Sequence, residues 1–137
     1  MPVLSGAGPT GCDRMLRMGL TVSRRNAGEI VVLHLEGELD IYTVGAFRQE
    51  SDQIDPAEVQ TVVDLTEVSL LDSSGLGALV SLLNRARAAG GVLGVVCPQR
   101  HLRRVFEITG LRRAFVFGDD LEGVRVALAE AATSSTA

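Results

Sequence analysis

Apolar and polar positions alternate between two periods along the chain, and the changes of period mark its elements. Leu20-Thr21-Val22-Ser23 alternates, as a half-buried strand does. After a turn at Asn26-Ala27-Gly28, Ile30 to Leu35 is almost continuously apolar, which suits a strand covered on both faces. The short connection makes these two strands an antiparallel hairpin. Val44, Phe47 and Ile54 then fall near one face of a helix that Thr43 or Asp40 can cap and that Asp55-Pro56 stops. Thr61 to Leu65 is a second buried strand. It is followed by a short polar turn, an apolar lead-in and a helix with Leu76, Leu79, Val80 and Leu83 on one side. Ala89-Gly90-Gly91 ends that helix, with a glycine suited to a left-handed cap. Val92 to Cys97 is the next strand. A helix from His101 to Thr109 turns Leu102, Val105 and Phe106 inward. Phe115-Val116-Phe117 is a short last strand, and a closing helix carries Leu121, Val124 and Leu128. Strand, helix, strand in this order implies parallel pairing.

The pattern therefore predicts one α/β domain over residues 17–131. Its central sheet has about five strands, mixed but mostly parallel after the N-terminal antiparallel hairpin, packed with about four helices. Residues 1–16 and 132–137 lack periodicity and read as a flexible arm and tail. A length of 137 residues suffices for one buried core, and a 46% hydrophobic content favours a compact globule.

Charge narrows the function. A net charge of −4 argues against a non-specific nucleic-acid binder. All 13 basic residues are arginine, and Arg100, Arg103, Arg104, Arg112 and Arg113 cluster around one helix, as a solvated face or as a contact surface for an acidic partner. No apolar run approaches the ~20 residues of a membrane span, and Met1-Pro2-Val3-Leu4 opens no secretory signal. Cys12 and Cys97 have no CxxC or Cys/His spacing, which fits a reduced cytoplasmic setting.

The chemistry concentrates at the strand-to-helix junction Asp72-Ser73-Ser74-Gly75-Leu76-Gly77. Ser73 or Ser74 can cap the helix with a hydroxyl oxygen. Gly75 and Gly77 leave room for another molecule's backbone, and the helix N-terminus tolerates a phosphate. Glu38 and Asp40 are either a solvated turn with a cap or an acidic rim beside this junction, since loops at one end of parallel strands converge. Enzyme chemistry finds no support. The position two before Ser73 is Leu71, so a nucleophile elbow fails. The third glycine of a dinucleotide loop falls on Val80, no lysine exists for a Walker site, and metal-ligand spacing is absent. His34 reads as a hydrogen-bonded core residue.

The same hexapeptide resembles the phosphorylation site of the anti-sigma factor antagonists of the STAS domain superfamily. Leu35-Glu36-Gly37-Glu38-Leu39-Asp40 resembles that family's second strand and following turn. Phe106-Glu107-Ile108-Thr109-Gly110-Leu111 resembles the helix end before its last strand. The resemblance implies a cytoplasmic STAS fold that is not an enzyme and needs no cofactor. It implies that the unphosphorylated protein binds an anti-sigma factor that is also a serine kinase, with ATP held by that partner, and so frees a sigma factor. Phosphorylation would break the complex, and a PPM-type serine phosphatase would reverse it. By motif position the acceptor is Ser73. Ser74 is the neighbouring hydroxyl, and Asp40 and Asp72 match acidic positions flanking the family's site. Glu38, Gly75, Leu76 and Gly77 complete the expected partner-binding set. The alternative is a STAS accessory module for ligand binding or lipid transport, without a phospho-switch.

Overall fold

The computed structural model describes residues 14–17 and 19–134, with side-chain surroundings for 19–131. Six strands form one sheet: β1 (Arg14–Arg17), β2 (Leu20–Ala27), β3 (Ile30–Leu39), β4 (Gln60–Leu71), β5 (Leu93–Val96) and β6 (Val116–Gly118), in spatial order 1-2-3-4-5-6. The pairs β1–β2 and β2–β3 are antiparallel, and β3 to β6 run parallel. Four helices are described: α1 (Val44–Ser51), α2 (Ser73–Ala88), α3 (Arg100–Ile108) and α4 (Leu121–Ser134).

Alternation along the central strands sorts the core into two layers. Leu33, Leu35, Val63 and Leu65 face one side, where they pack against Phe47 of α1, Leu79 and Leu83 of α2, and Leu102 and Phe106 of α3. Val32, Val62 and Val96 face the other side and meet Val124 and Leu128 of α4. That division explains why the central strands read as unbroken apolar runs rather than alternating ones. Helix α4 lies close to the sheet because β5 and β6 offer glycine beneath it. A Cβ on Gly94 would stand 2.6 Å from a methyl of Val124.

The fold is the α/β architecture that the periodicity implies, with local differences. The sheet has six strands rather than five, because Arg14–Arg17 pairs with β2 inside the stretch read as an arm. The remainder of that arm, residues 1–13, lies outside the described residues, as do residues 135–137 of the expected tail. Helix α4 carries on through Ser134. The hairpin turn is narrower than Asn26-Ala27-Gly28: β2 runs to Ala27, and Gly28, at a φ of 69°, leads the chain back. Helix α1 ends at Ser51 instead of at Pro56, and Ile54 is buried just beyond it. Helix α2 ends as expected. Gly90 takes a φ of 86°, and Gly91 N–H donates to the Ala86 carbonyl at 2.8 Å, which closes the last turn.

The largest difference concerns β4. The polar residues after Leu65 form no turn, and the strand continues for 12 residues to Leu71. Two irregularities in the pairing with β3 absorb them: the first lies between the pairs His34–Asp64 and Glu36–Glu67, the second between Gly37–Val68 and Glu38–Leu70. The polar side chains sit in the bulged segment, where Thr66 donates its N–H to Asp64 Oδ1 at 2.9 Å. Strand β5 pairs only with Thr61 to Asp64. The outer half of β4 is held instead by Gln99, whose Nε2 donates to the carbonyls of Leu65, Thr66 and Val68 at 2.7, 3.0 and 2.8 Å.

Candidate functional site

Leu39 and Leu71 are register partners at the carboxyl ends of β3 and β4, so the loops that leave these strands lie side by side. One carboxylate joins them. Asp72 is the residue before α2, in extended conformation, and its Oδ1 accepts from Ser74 N–H at 2.9 Å and Gly75 N–H at 3.0 Å. Its Oδ2 accepts from Ile41 N–H of the neighbouring loop at 3.2 Å. Asp72, and not Ser73 or Ser74, is therefore the cap. An aspartate one residue earlier fits the extended capping geometry, while both serines are already inside the first helical turn.

That arrangement leaves Ser73 free. It is the first residue of α2, is exposed to solvent, and its hydroxyl has no partner among the described residues. Ser74 behind it is half-buried. Gly75 and Leu76 face inward. Added to Gly75, a Cβ would lie 2.7 Å from Leu39 Cγ and 2.9 Å from the Leu39 carbonyl oxygen. This glycine thus lets α2 approach β3, and the close approach it serves is internal, not that of another molecule's backbone. Gly77 is exposed, with nothing within 4 Å of an added Cβ.

The facing loop is equally ordered. Asp40 Oδ1 accepts from Tyr42 N–H at 2.9 Å and Thr43 N–H at 3.1 Å, which builds a tight turn ahead of α1. Thr43 Oγ1 donates to the Glu38 carbonyl at 2.7 Å and accepts from Asp40 N–H at 3.0 Å, so it locks the turn and makes no side-chain cap of α1. The turn thrusts out Ile41 and Tyr42, which are 63% and 87% exposed. Glu38 is exposed, and Asp40 is half-buried in its own turn. Leu70, 44% exposed, is three residues before Ser73. The sequence pattern singled out the acids of this rim and missed its apolar tip. Two apolar side chains beside a turn-forming Asp40 were the available signal.

His34, His101 and Cys97 make their contacts outside the Asp40 and Asp72 turns. His34 Nδ1 and Asp64 Oδ2 lie 3.1 Å apart on the sheet, so the histidine is hydrogen-bonded as expected but half-buried rather than in the core. His101 Nε2 is 3.0 Å from the Ser69 carbonyl oxygen. Cys97 is fully buried, and burial pushes its thiol up to about 11 against the opposing pull of Arg103. No group of three or more metal-ligating side chains occurs among the described residues. Of the described helices, none is long and apolar enough to cross a membrane. A cleft of about 380 Å³ opens beside Val59, Thr61, Val92 and Leu128, at the opposite end of the parallel strands from Ser73.

The sheet order and the exposed serine at the start of the helix after its longest strand are the features to set beside known proteins. The family model described as "Mlab, STAS domain" matches residues 22–123, and the chain belongs to the STAS domain family. Its relatives point the same way. The anti-sigma-B factor antagonist of Listeria monocytogenes is 31% identical over 97 residues, 70% of this chain and 84% of that protein. The crystal structure of an anti-sigma factor antagonist from Mycobacterium paratuberculosis superposes with a TM-score of 0.73 at 26% identity, covering 80% of this chain and 93% of that one. The anti-sigma factor antagonist SpoIIAA in its unphosphorylated form aligns with a TM-score of 0.64 at 27% identity, over 77% and 95% of the two chains.

Proposed function

We propose that this protein is an anti-sigma factor antagonist of the cytoplasm, switched by phosphorylation of Ser73. One observation carries the reading: Ser73 stands exposed and unpartnered at the start of α2, because Asp72 has taken over the cap. A kinase can reach that hydroxyl without unfolding anything. The similarity to SpoIIAA, solved in a form named for its lack of phosphate, supports the same reading.

The switch follows from the surroundings. The unmodified protein docks an anti-sigma factor with serine kinase activity through Ser73, Gly77 and the Ile41–Tyr42 tip. Asp72 and Asp40 hold the two loops in position. Docking withdraws the anti-sigma factor from its sigma factor, and the partner brings the ATP, so this chain needs no cofactor. A phosphate on Ser73 adds about −1.5 to −2 charge at pH 7. Buried under a docked partner, that charge costs several kcal/mol unless cations meet it. A loss of about 4 kcal/mol is roughly a thousandfold in affinity. A PPM-type serine phosphatase resets the protein. Ser74, half-buried behind its neighbour, supports the turn.

Incubation with ATP and each anti-sigma serine kinase of the source organism, followed by mass spectrometry, tests this. One phosphate is expected on the parent chain and none on Ser73→Ala. Label that survives Ser73→Ala but disappears with Ser74→Ala would move the acceptor by one residue. No label from any such kinase would remove the phospho-switch and leave a STAS accessory module.

A further inference from the structure

Helix α3 is charged against its own stability. A helix favours acids at its N-terminal end and bases at its C-terminal end. Here Arg100, Arg103 and Arg104 occupy the first half, no acid lies in the first turn, and Glu107 falls in the last turn. From Arg100 to Arg113 there are five arginines and one glutamate, a net charge of +4 in a chain whose net charge is −4. Two of the five have internal work. Arg103 donates Nε–H to the Cys97 carbonyl at 2.6 Å and pairs with Asp119, and Arg112 lies over the Phe117 ring at 5.3 Å. Arg100 and Arg104 are exposed, and their side chains have no hydrogen bond or ion pair among the described residues. They stand one turn apart on the same face, a spacing at which like charges repel. With His101, Arg103 and Glu107 they form one open surface of the helix.

The helix that carries this face begins beside the strand that leads to Ser73. The start of α3 is fastened to the outer half of β4 by Gln99 and by His101, which contacts the Ser69 carbonyl. Exposed Ser69 and Leu70 connect it with Asp72 and Ser73. We propose that Arg100 and Arg104 form the second half of the docking surface and receive an acidic face of the protein that reads Ser73. The proposal rests on the antagonist reading and names the charge its partner must carry. A protein fits better than nucleic acid or an anionic membrane, because exposed Glu38 and Glu67 occupy the same end and repel an extended polyanion. A folded partner can place acids on α3 and apolar groups on Ile41 and Tyr42.

The test uses the full chain, ¹⁵N-labelled and titrated with a hexaglutamate peptide. Saturable shifts are expected at residues 69–70 and 100–104, weakening about tenfold between roughly 50 and 300 mM salt. They should be lost in Arg100→Glu/Arg104→Glu. Arg100→Gln/Arg104→Gln, which removes the repulsion, should melt no lower than the parent while also losing the peptide. With the kinase that labels Ser73, both double variants should associate about tenfold more slowly. Absence of α3 shifts, unchanged association in the variants, or tighter binding of phosphatidylglycerol vesicles or a single-stranded oligonucleotide through the same arginines would overturn the proposal. The peptide arm needs no kinase, so its failure is separate from a failure of Ser73 labelling.

Discussion

Two glycines of one helical turn carry opposite consequences. Alanine at Gly75 drives a methyl into Leu39 and Leu71, at 2.7 to 2.9 Å, where real Cβ contacts do not occur. The expected cost is about 1–3 kcal/mol for forced repacking. Alanine at Gly77 meets nothing within 4 Å and is expected to stabilise by about 0.5–1 kcal/mol, by reducing backbone freedom in the unfolded chain. Denaturant melts of the two variants should therefore move in opposite directions, and a loss at Gly77 equal to that at Gly75 would show that the junction is packed differently. The sequence could not separate these two residues, since their neighbours are alike and the distinction depends on β3, remote in the chain. The cap shows the same limit. Asp72, Ser73 and Ser74 are all good capping types, and only the entry angle fixed by β4 selects Asp72.

Elements with a strong period were legible and those with a broken period were not. Helices α2 and α3 turn inward the residues that their spacing marks, and Gly90 stops α2 where a left-handed residue is needed. The second half of strand β4 escapes the pattern because Thr66, Glu67 and Ser69 interrupt the apolar run. A bulge shifts the face that each residue presents, so simple alternation fails there although pairing continues. Gln99 holds this segment from 31 to 34 positions away, which no local pattern reveals. Its replacement by alanine leaves three carbonyls to find water and should cost about 1–2 kcal/mol. Amide exchange should rise in residues 66–71 and in the first turn of α3, with little change in β2. If exchange in β4 is unaltered, the strand is held by something other than the Gln99 side chain.

Taken as a whole, the molecule separates what keeps it folded from what it presents. The two apolar layers lie on either side of the sheet, whereas Ser73, Ile41 and Tyr42 are exposed where β3 and β4 end. Charge placed on Ser73 should then alter association far more than stability. At the start of α2 a negative group gains roughly 0.3–1 kcal/mol from the helix dipole. Asp72 already accepts from Ser74 and Gly75 N–H, so those two donors are taken, and its own charge opposes the gain. Ser73→Glu is expected to change unfolding free energy by less than about 1 kcal/mol, within the range of surface substitutions. Under a partner the same charge loses its water, and affinity for the anti-sigma factor should fall by two to three orders of magnitude, roughly 3–4 kcal/mol. Thermal melts and calorimetric titration of one variant preparation decide it. A large drop in melting temperature with affinity intact for the remaining folded fraction would mean that Ser73 supports the fold and that the switch lies elsewhere.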